Sequence, residues 1–323
     1  MMMKKALDQV MTRREAIKVS LFATAGMAAC RGSSGYGEVS TGTGPLITRP
    51  IPKTGERLPV VGLGTNRFGV EGEDEIAPLR EVIRLMVENG ASVIDTARVY
   101  GRGRAEEVIG QIIDELDVQD RVFIATKVGT PASREEAIGL LEESLRALGV
   151  ARVPAIRAHS VNGAEILFPI LREWKESGRI RYFGVTTVND RQYPEIERLI
   201  RQEAVDIVEI DYSVVDRSAA DRLLPLAQDH GVAIMNATPF GGRARNVLPR
   251  VLDRPLPDFA SEIGATSWAQ LCLKYNLSHP AVTVAIPGTT NPRHVLDNLG
   301  AARGELPDAD LRRRIERFFD ELS

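Results

Sequence analysis

From Leu46 onward the sequence alternates eight times between a short apolar run and a longer stretch with apolar residues at helical spacing. A buried strand ends at Gly64 and Thr65. After it, "SVIDT", "RVFIATK", "VPAIRAHS", "IRYFGVTT", "VDIVEIDYS", "VAIMNATP" and "AVTVAIPGTT" read as strands. The intervening stretches read as helices. The first carries Ile76, Leu79, Val82, Ile83, Met86 and Val87 on one face. "REEAIGLLEESLRALG" has Gly149 as its stop signal, and in "AEILFPILREWKESG" Pro169 marks a kink or a late start. Strands joined through helices pair in parallel, because a parallel partner needs a long crossover. The segment "LITRPIPKTGERLP" adds a hairpin around "KTG". Eight strand–helix units after a hairpin favour an α/β chain folded as a (β/α)8 TIM barrel. The rival is a doubly wound open sheet, which wants a glycine-rich phosphate loop after an early strand. "GLGTNRFG" (Gly62–Gly69) lacks the third glycine of that loop at the required spacing.

The first thirty residues have a different character. "MMMKKALDQVMTRREAIK" is charged, and "VSLFATAGMAAC" is small and apolar. That order is the order of a bacterial export signal, and its apolar part is too short to span a bilayer. Arg13 and Arg14, followed by Lys18, resemble a twin-arginine signal, so the expected partner during export is the twin-arginine translocase and the expected location is periplasmic. "MAAC" resembles a lipobox with Cys30 as the lipidated residue; a plain soluble export signal is the alternative. Residues 31–45 are rich in Gly, Ser and Thr and read as a flexible linker. Residues 46–323 are then the barrel domain.

Composition narrows the chemistry. With 41 basic and 44 acidic residues and no basic run beyond the N-terminus, nucleic acid is not an expected partner. Cys30 and Cys272 are the only cysteines, too few for a disulfide framework, a structural zinc site or an iron–sulfur cluster, and no metal site is expected. Aromatics are 5% of the chain, so an aromatic placed at a site carries weight.

In a (β/α)8 barrel the C-terminal ends of the strands build the active site. Asp95 ends the second strand and Tyr100 lies in the glycine-rich loop after it. Lys127 ends the third strand and His159 the fourth. Each has a bland reading alone: a loop cap, a half-buried loop aromatic, a snorkelling lysine, a satisfied histidine. On successive strands of one barrel they converge, and together they suit proton transfer to a carbonyl oxygen. A phenol is a poor acid at neutral pH, a neighbouring ammonium is expected to lower its pKa, and a carboxylate keeps that ammonium charged and aimed. His159 can hydrogen-bond the substrate oxygen or the tyrosine.

"DTARVYG", "ATK", the strand-ending His159 and "IPGTTNPRHVLDNLGA" together resemble the aldo-keto reductase family, over the chain from about Leu58 to Ala302. The resemblance implies a barrel that binds NADPH (NADH possible) without a Rossmann fold, a small carbonyl substrate, and a tetrad of Asp95, Tyr100, Lys127 and His159 with Tyr100 as general acid. It implies cofactor contacts from Thr65 and Asn66 and from Thr186, Thr187 and Glu209 at the nicotinamide carboxamide. Pro239, Phe240, Gly241, Arg243 and Arg245 would follow the pyrophosphate, and Gly288, Thr289, Thr290, Arg293, Asp297 and Asn298 the adenosine end. Several positions depart from the pattern. Glu209 stands where the family has glutamine, Ala237 where a large aromatic stacks on the nicotinamide, Gly288 for a lysine, His294 for an arginine, and Pro154 for an acidic residue. Arg293 is the implied cation for a 2′-phosphate. Phe68, Trp268 and Phe240 are the aromatic candidates for the substrate pocket.

Two other readings stay open at this point. One is a cofactor-binding redox sensor or low-turnover binding protein on the same barrel, which Ala237 and Glu209 would suit. The other is a Schiff-base enzyme with Lys127 as nucleophile, which leaves Tyr100 and "IPGTTN" without a role.

Overall fold

The computed structural model describes residues 44–202, 204–242 and 245–322. The export signal, Cys30 and all but the last two positions of the linker lie outside the described residues.

Among the described residues, ten strands follow in chain order. β1 (Thr48–Pro50) and β2 (Arg57–Pro59) pair antiparallel, with Thr48 opposite Pro59. β3 (Leu63–Gly64), β4 (Val93–Asp95), β5 (Phe123–Val128), β6 (Ala155–Ala158), β7 (Tyr182–Thr187), β8 (Ile207–Asp211), β9 (Ala233–Ala237) and β10 (Val282–Ala285) form one parallel sheet in sequential order. Its two ends meet. Parallel bridges join Val61 to Ala285 and Gly64 to Gly288, and Gly62 N donates to Ala285 O at 2.8 Å. The sheet is therefore the barrel that eight strand–helix units favour, and the open-sheet rival is excluded.

The helices form where the apolar spacing places them, and several start on side-chain caps. Ser133 accepts from Glu136 N ahead of Arg134–Ala147, Ser267 from Gln270 N ahead of Trp268–Leu277, and Asp308 from Leu311 N ahead of Ala309–Glu321. Gly149 adopts a φ of +67° just after Leu148, as a helix stop requires. The helix Ala164–Glu176 runs on through Pro169. Leu167, Phe168, Ile170, Leu171 and Trp174 are buried on it, and that burial outweighs the one hydrogen bond a proline cannot donate. Short helical turns at Leu248–Val251 and Asp258–Ile263 carry too little periodic sequence to be legible beforehand.

Side chains of the parallel strands point alternately into the barrel and out toward the helices. Val93, Phe123, Ala155, Tyr182, Ile207, Ala233 and Val284 form an apolar cluster inside the barrel with Ile51 and Leu58 of the hairpin. The hairpin is thus a plug over the N-terminal end. Tyr182 donates from its hydroxyl to Glu56 at 2.7 Å and shares a 2.6 Å hydrogen bond with Thr54, which fixes the plug to the barrel floor. Further along four of these strands, at Asp95, Lys127, Arg157 and Glu209, the interior becomes charged.

Candidate active site

Inside the C-terminal half of the barrel, four ionisable side chains from four strands meet: Asp95 (β4), Lys127 (β5), Arg157 (β6) and Glu209 (β8). Lys127 and Arg157 are fully buried, and Asp95 and Glu209 are 3% and 5% exposed. Lys127 Nζ donates to both oxygens of Asp95 at 2.7 Å and to Glu209 Oε2 at 3.1 Å. Arg157 donates from one amino group to Asp95 Oδ1 and to Ala125 O (2.9 Å), and from the other to Glu209 Oε2. Strand register makes this possible. Lys127 lies beside Arg157, and Ala125, the neighbour of Asp95 on β5, is small enough to leave room for the guanidinium. Two acids and two bases sum to zero, which is how four charges can be buried together at tolerable cost.

Tyr100 hangs above this cluster. Lys127 Nζ lies 5.4 Å from the centre of its ring, and the His159 ring stands edge-on to it at 5.8 Å between centroids. The phenol is held by a turn, Tyr100–Gly103, in which Gly101 and Arg102 take φ near +55° to +58°. A Cβ at Gly69 would come within 2.5 Å of Gly101 Cα, so this turn and the loop after β3 touch backbone to backbone. That close approach explains the glycines of "DTARVYGRG". Asp95, Tyr100, Lys127 and His159 are therefore brought together.

The electrostatics differ from the sequence expectation at the phenol. Lys127 was expected to lower the pKa of Tyr100. Instead burial, followed by Asp95 and Glu209, pushes it up, with Arg157 pulling the other way. The ammonium's field is cancelled by the carboxylates that hold it, and Tyr100 stays protonated. Burial, Lys127 and Arg157 push His159 down to about 4, so its imidazole is neutral near pH 7. The carboxyls are driven apart: burial and Glu209 raise Asp95, whereas in Glu209 burial is outweighed by Lys127 and Arg157 and the pKa falls. A protonated phenol and a neutral imidazole facing one space form a pair of hydrogen-bond donors for an oxygen that gains negative charge.

Arg157 was missed in the sequence. The signal was there: it stands two residues before His159, on the same face of an otherwise apolar strand, and a charge in such a strand needs partners. Glu209, read as a carboxamide ligand, has its Oε2 occupied by Lys127 and Arg157 and a hydrogen bond from Thr186. Two aromatic candidates for the substrate pocket are excluded. Phe68 is completely buried in the core, and Trp268 packs on Phe318 and Phe319 while donating from its indole to Arg254 O. Phe240 is half-buried against the core beside the loop after β9. Val99 and Val188 are exposed, each within one residue of Tyr100 or Thr187, and give the mouth an apolar rim.

The remaining candidate cofactor residues ring the same end of the barrel. Thr65 donates to Asp95 O at 2.8 Å, and Asn66 is exposed next to it. Thr187 donates to Gln192 Oε1 at 2.7 Å. After β9, Thr238 has a φ of +43°, Pro239 O accepts from Asn276, and Gly241 has a φ of +88° with no room for a Cβ, which would lie 2.4 Å from Arg245 O. Arg245 pairs with Asp216; Arg243 lies outside the described residues. After β10, Gly288 bridges Gly64, Thr289 contacts His294, and Thr290 is half-buried. Asn291 caps the helix Pro292–Gly300, on whose first turn Arg293 is exposed. Asp297 is tied to Ser267 and Gln270, and Asn298 is buried, so both brace this helix against its neighbour. A dinucleotide fits this set on two counts. The backbone after β9 is open at Gly242, where a Cβ would meet nothing within 4 Å and phosphates need close approach, and hydroxyls and an exposed arginine gather at a helix start after β10. Ala237, buried at the end of β9, offers no stacking face.

The comparisons with known proteins agree with this geometry. Residues 60–316 match the Aldo/keto reductase family. The chain is 29% identical over 262 residues to methylglyoxal reductase YeaE of Escherichia coli K12, covering 79% of this chain and 89% of that one. It is 25% identical over 323 residues to an NADH-specific methylglyoxal reductase of the same organism, covering 81% and 95%. Among solved structures, an aldo-keto reductase from Klebsiella pneumoniae in complex with NADPH is 27% identical, with a TM-score of 0.68 over 82% of this chain and 92% of that one. Closed barrel, tetrad and sequence match converge on one conclusion: this chain is a member of the aldo/keto reductase family, an oxidoreductase fold that works without a Rossmann domain.

Proposed function

We propose that the protein reduces small aldehydes or ketones with NADPH, with NADH as a possible substitute, and that Tyr100 is the proton donor. The observation that carries this reading is the placement of the Tyr100 phenol between neutral His159 and the buried cluster around Lys127. The bound nicotinamide supplies the hydride that reaches the carbonyl carbon. The protein's own groups manage the oxygen. Tyr100 and His159 hydrogen-bond it, the C=O electron pair moves onto it, and it takes the phenolic proton as the alcohol forms. Lys127, 5.4 Å from the ring centre, then faces the phenolate. Thr187 and the loop after β9 would hold the cofactor, with Arg293 the residue that would meet a 2′-phosphate. A sensor that only binds cofactor has no use for a proton donor aimed into the space, so turnover is the better reading.

Two relatives are named for methylglyoxal reduction, which makes small aldehydes carrying a second carbonyl the first substrates to test. The exposed valines Val99 and Val188 suit such compact, weakly polar molecules. The test is loss of NADPH absorbance with purified protein and a panel of aldehydes, run beside a fluorescence titration of NADPH and NADH. Cofactor binding without turnover on any aldehyde would favour the sensor instead; equal affinity for both cofactors, unchanged in Arg293→Ala, would remove Arg293 from the 2′-phosphate.

We also infer a periplasmic location reached by the twin-arginine route, from the order of charged, apolar and small residues at the N-terminus, with a lipid anchor at Cys30 and a plain soluble export signal as the two alternatives. That route carries folded proteins, which suits a barrel that must take up its cofactor in the cytoplasm. Lysine replacement of Arg13 and Arg14 together should leave the protein inside the cell, and Cys30→Ser should alter processing or membrane attachment if the anchor is the correct alternative. Normal fractionation of the lysine variant would remove this part of the reading, and an unchanged Cys30→Ser would favour the soluble signal.

A further inference from the structure

Lys127 is held by two carboxylates, Asp95 and Glu209. On those three side chains alone, the charge beneath Tyr100 would be −1. Arg157 brings it to zero. Its guanidinium is fully buried and paired with both acids, yet its Nε has no hydrogen-bond partner among the described residues. An orphaned buried donor is costly, and an apolar side chain would fill the same space without it. What the position supplies is charge.

We propose that Arg157 is a positioning residue for proton transfer from Tyr100: by balancing Glu209 it keeps the buried cluster neutral, so that the phenolate the transfer leaves behind does not form beside a net negative charge. The proposal rests on Tyr100 being the donor. The transfer itself moves one proton from the phenol to the substrate oxygen and leaves one negative charge on the ring. Every ionisable group facing that ring enters the balance: Asp95 from β4, Lys127 from β5, Arg157 and His159 from β6 and just beyond it, and Glu209 from β8. With Arg157 removed, the new charge forms beside a site already at −1, and Tyr100 becomes a weaker acid. With Glu209 neutralised, the site starts at +1 and Tyr100 becomes a stronger one. With both changed, neutrality returns through Asp95 and Lys127 alone.

The test is a cycle of Arg157→Met, Glu209→Gln and the double variant, with Tyr100→Phe as control. Three quantities are read: kcat and KM for NADPH with a small aldehyde, the pH dependence of the reverse alcohol oxidation, and the thermal midpoint without cofactor. Arg157→Met should lower kcat about tenfold or more, as a shift of about one pKa unit in the donor implies, with KM for NADPH little changed. The rise of the reverse rate with pH should move upward in Arg157→Met, downward in Glu209→Gln, and return in the double variant, which should recover most of the lost kcat. If the double variant regains its thermal midpoint but not its turnover, Arg157 is structural only and the proposal fails. It fails equally if the reverse pH profile stays fixed across the cycle. Should Arg157→Met not fold, the downward move in Glu209→Gln and its reversal in the double variant decide the matter. Turnover surviving in Tyr100→Phe is a separate result: it overturns the donor assignment itself.

Discussion

The two ends of the barrel are built from the same strands and the same alternation, yet they hold opposite interiors. At the N-terminal end, Val93, Phe123, Tyr182, Ile207 and Val284 meet Ile51 and Leu58 of the hairpin in an apolar plug. Toward the C-terminal end four of the strands, β4, β5, β6 and β8, carry Asp95, Lys127, Arg157 and Glu209. The apolar end gains stability from every buried methylene. The charged end gains little net stability, because desolvation offsets most of the attraction between its ions. What it gains is a fixed field at a fixed place. The fold thus separates stability from chemistry along one axis.

Breaking the chemistry without touching the stability should give the largest effect. Tyr100→Phe keeps the ring and removes the donor, so turnover is expected to fall by roughly 10²–10⁴-fold, with an unchanged melting curve and unchanged NADPH titration. Near wild-type turnover would remove Tyr100 from the mechanism.

Lys127→Met and Ile51→Ala place the two ends side by side. Lys127→Met leaves buried carboxylates under-compensated and is expected to cost about 3–5 kcal/mol of stability together with most of the turnover. Ile51→Ala in the plug is expected to cost about 2–5 kcal/mol while turnover per folded molecule holds. Denaturant curves and initial rates measured on both variants check this. A plug variant that loses turnover while still folded would show that the two ends are coupled.

A smaller effect is expected at Ala237, where the charged end meets the cofactor. Ala237→Trp adds a stacking face and is expected to tighten NADPH up to about tenfold. An unchanged or weaker affinity in the titration would mean that another group, with Phe240 the nearest aromatic candidate, already covers the ring.

A further expected effect is a pH dependence, to which the charged end contributes through His159, and to which a second histidine, His279, contributes through the same lowering to about 4. The folded pKa of His159 is about 4 against an ordinary 6.5. Between those values the unfolded chain takes up a proton that the fold refuses. The contribution of the neutral imidazole is therefore complete above pH 6.5 and is lost as the pH falls toward 4. His159→Asn should flatten the decline of the denaturation midpoint over that window. An identical slope in the variant would assign the decline to other groups.

Much of this architecture was legible in the residues. The alternation of strand and helix was enough to favour the barrel, because parallel strands in register need crossovers of that length. Asp95, Lys127 and His159 could be assigned to one mouth because each ends its strand. The charged interior was only half legible. Arg157 sits in plain view in "AIRAH", but nothing local says that its partners are Asp95 and Glu209. Trp268 misled for the same reason: an aromatic on a helix shows its face in the sequence but not its neighbours, which are Phe318 and Phe319.

The sequence by itself determined the periodicities, the strand ends and the identity of the groups at the mouth, since these depend on residues a few positions apart. The tertiary structure alone decided the sign of the effect on Tyr100. Lys127 and Glu209 are 82 residues apart, and Arg157 and Glu209 are 52 apart. The field at the phenol is the sum over all of them. A pairwise reading of Lys127 and Tyr100 predicts a lowered pKa; the closed barrel adds two carboxylates and burial, and the phenol keeps its proton.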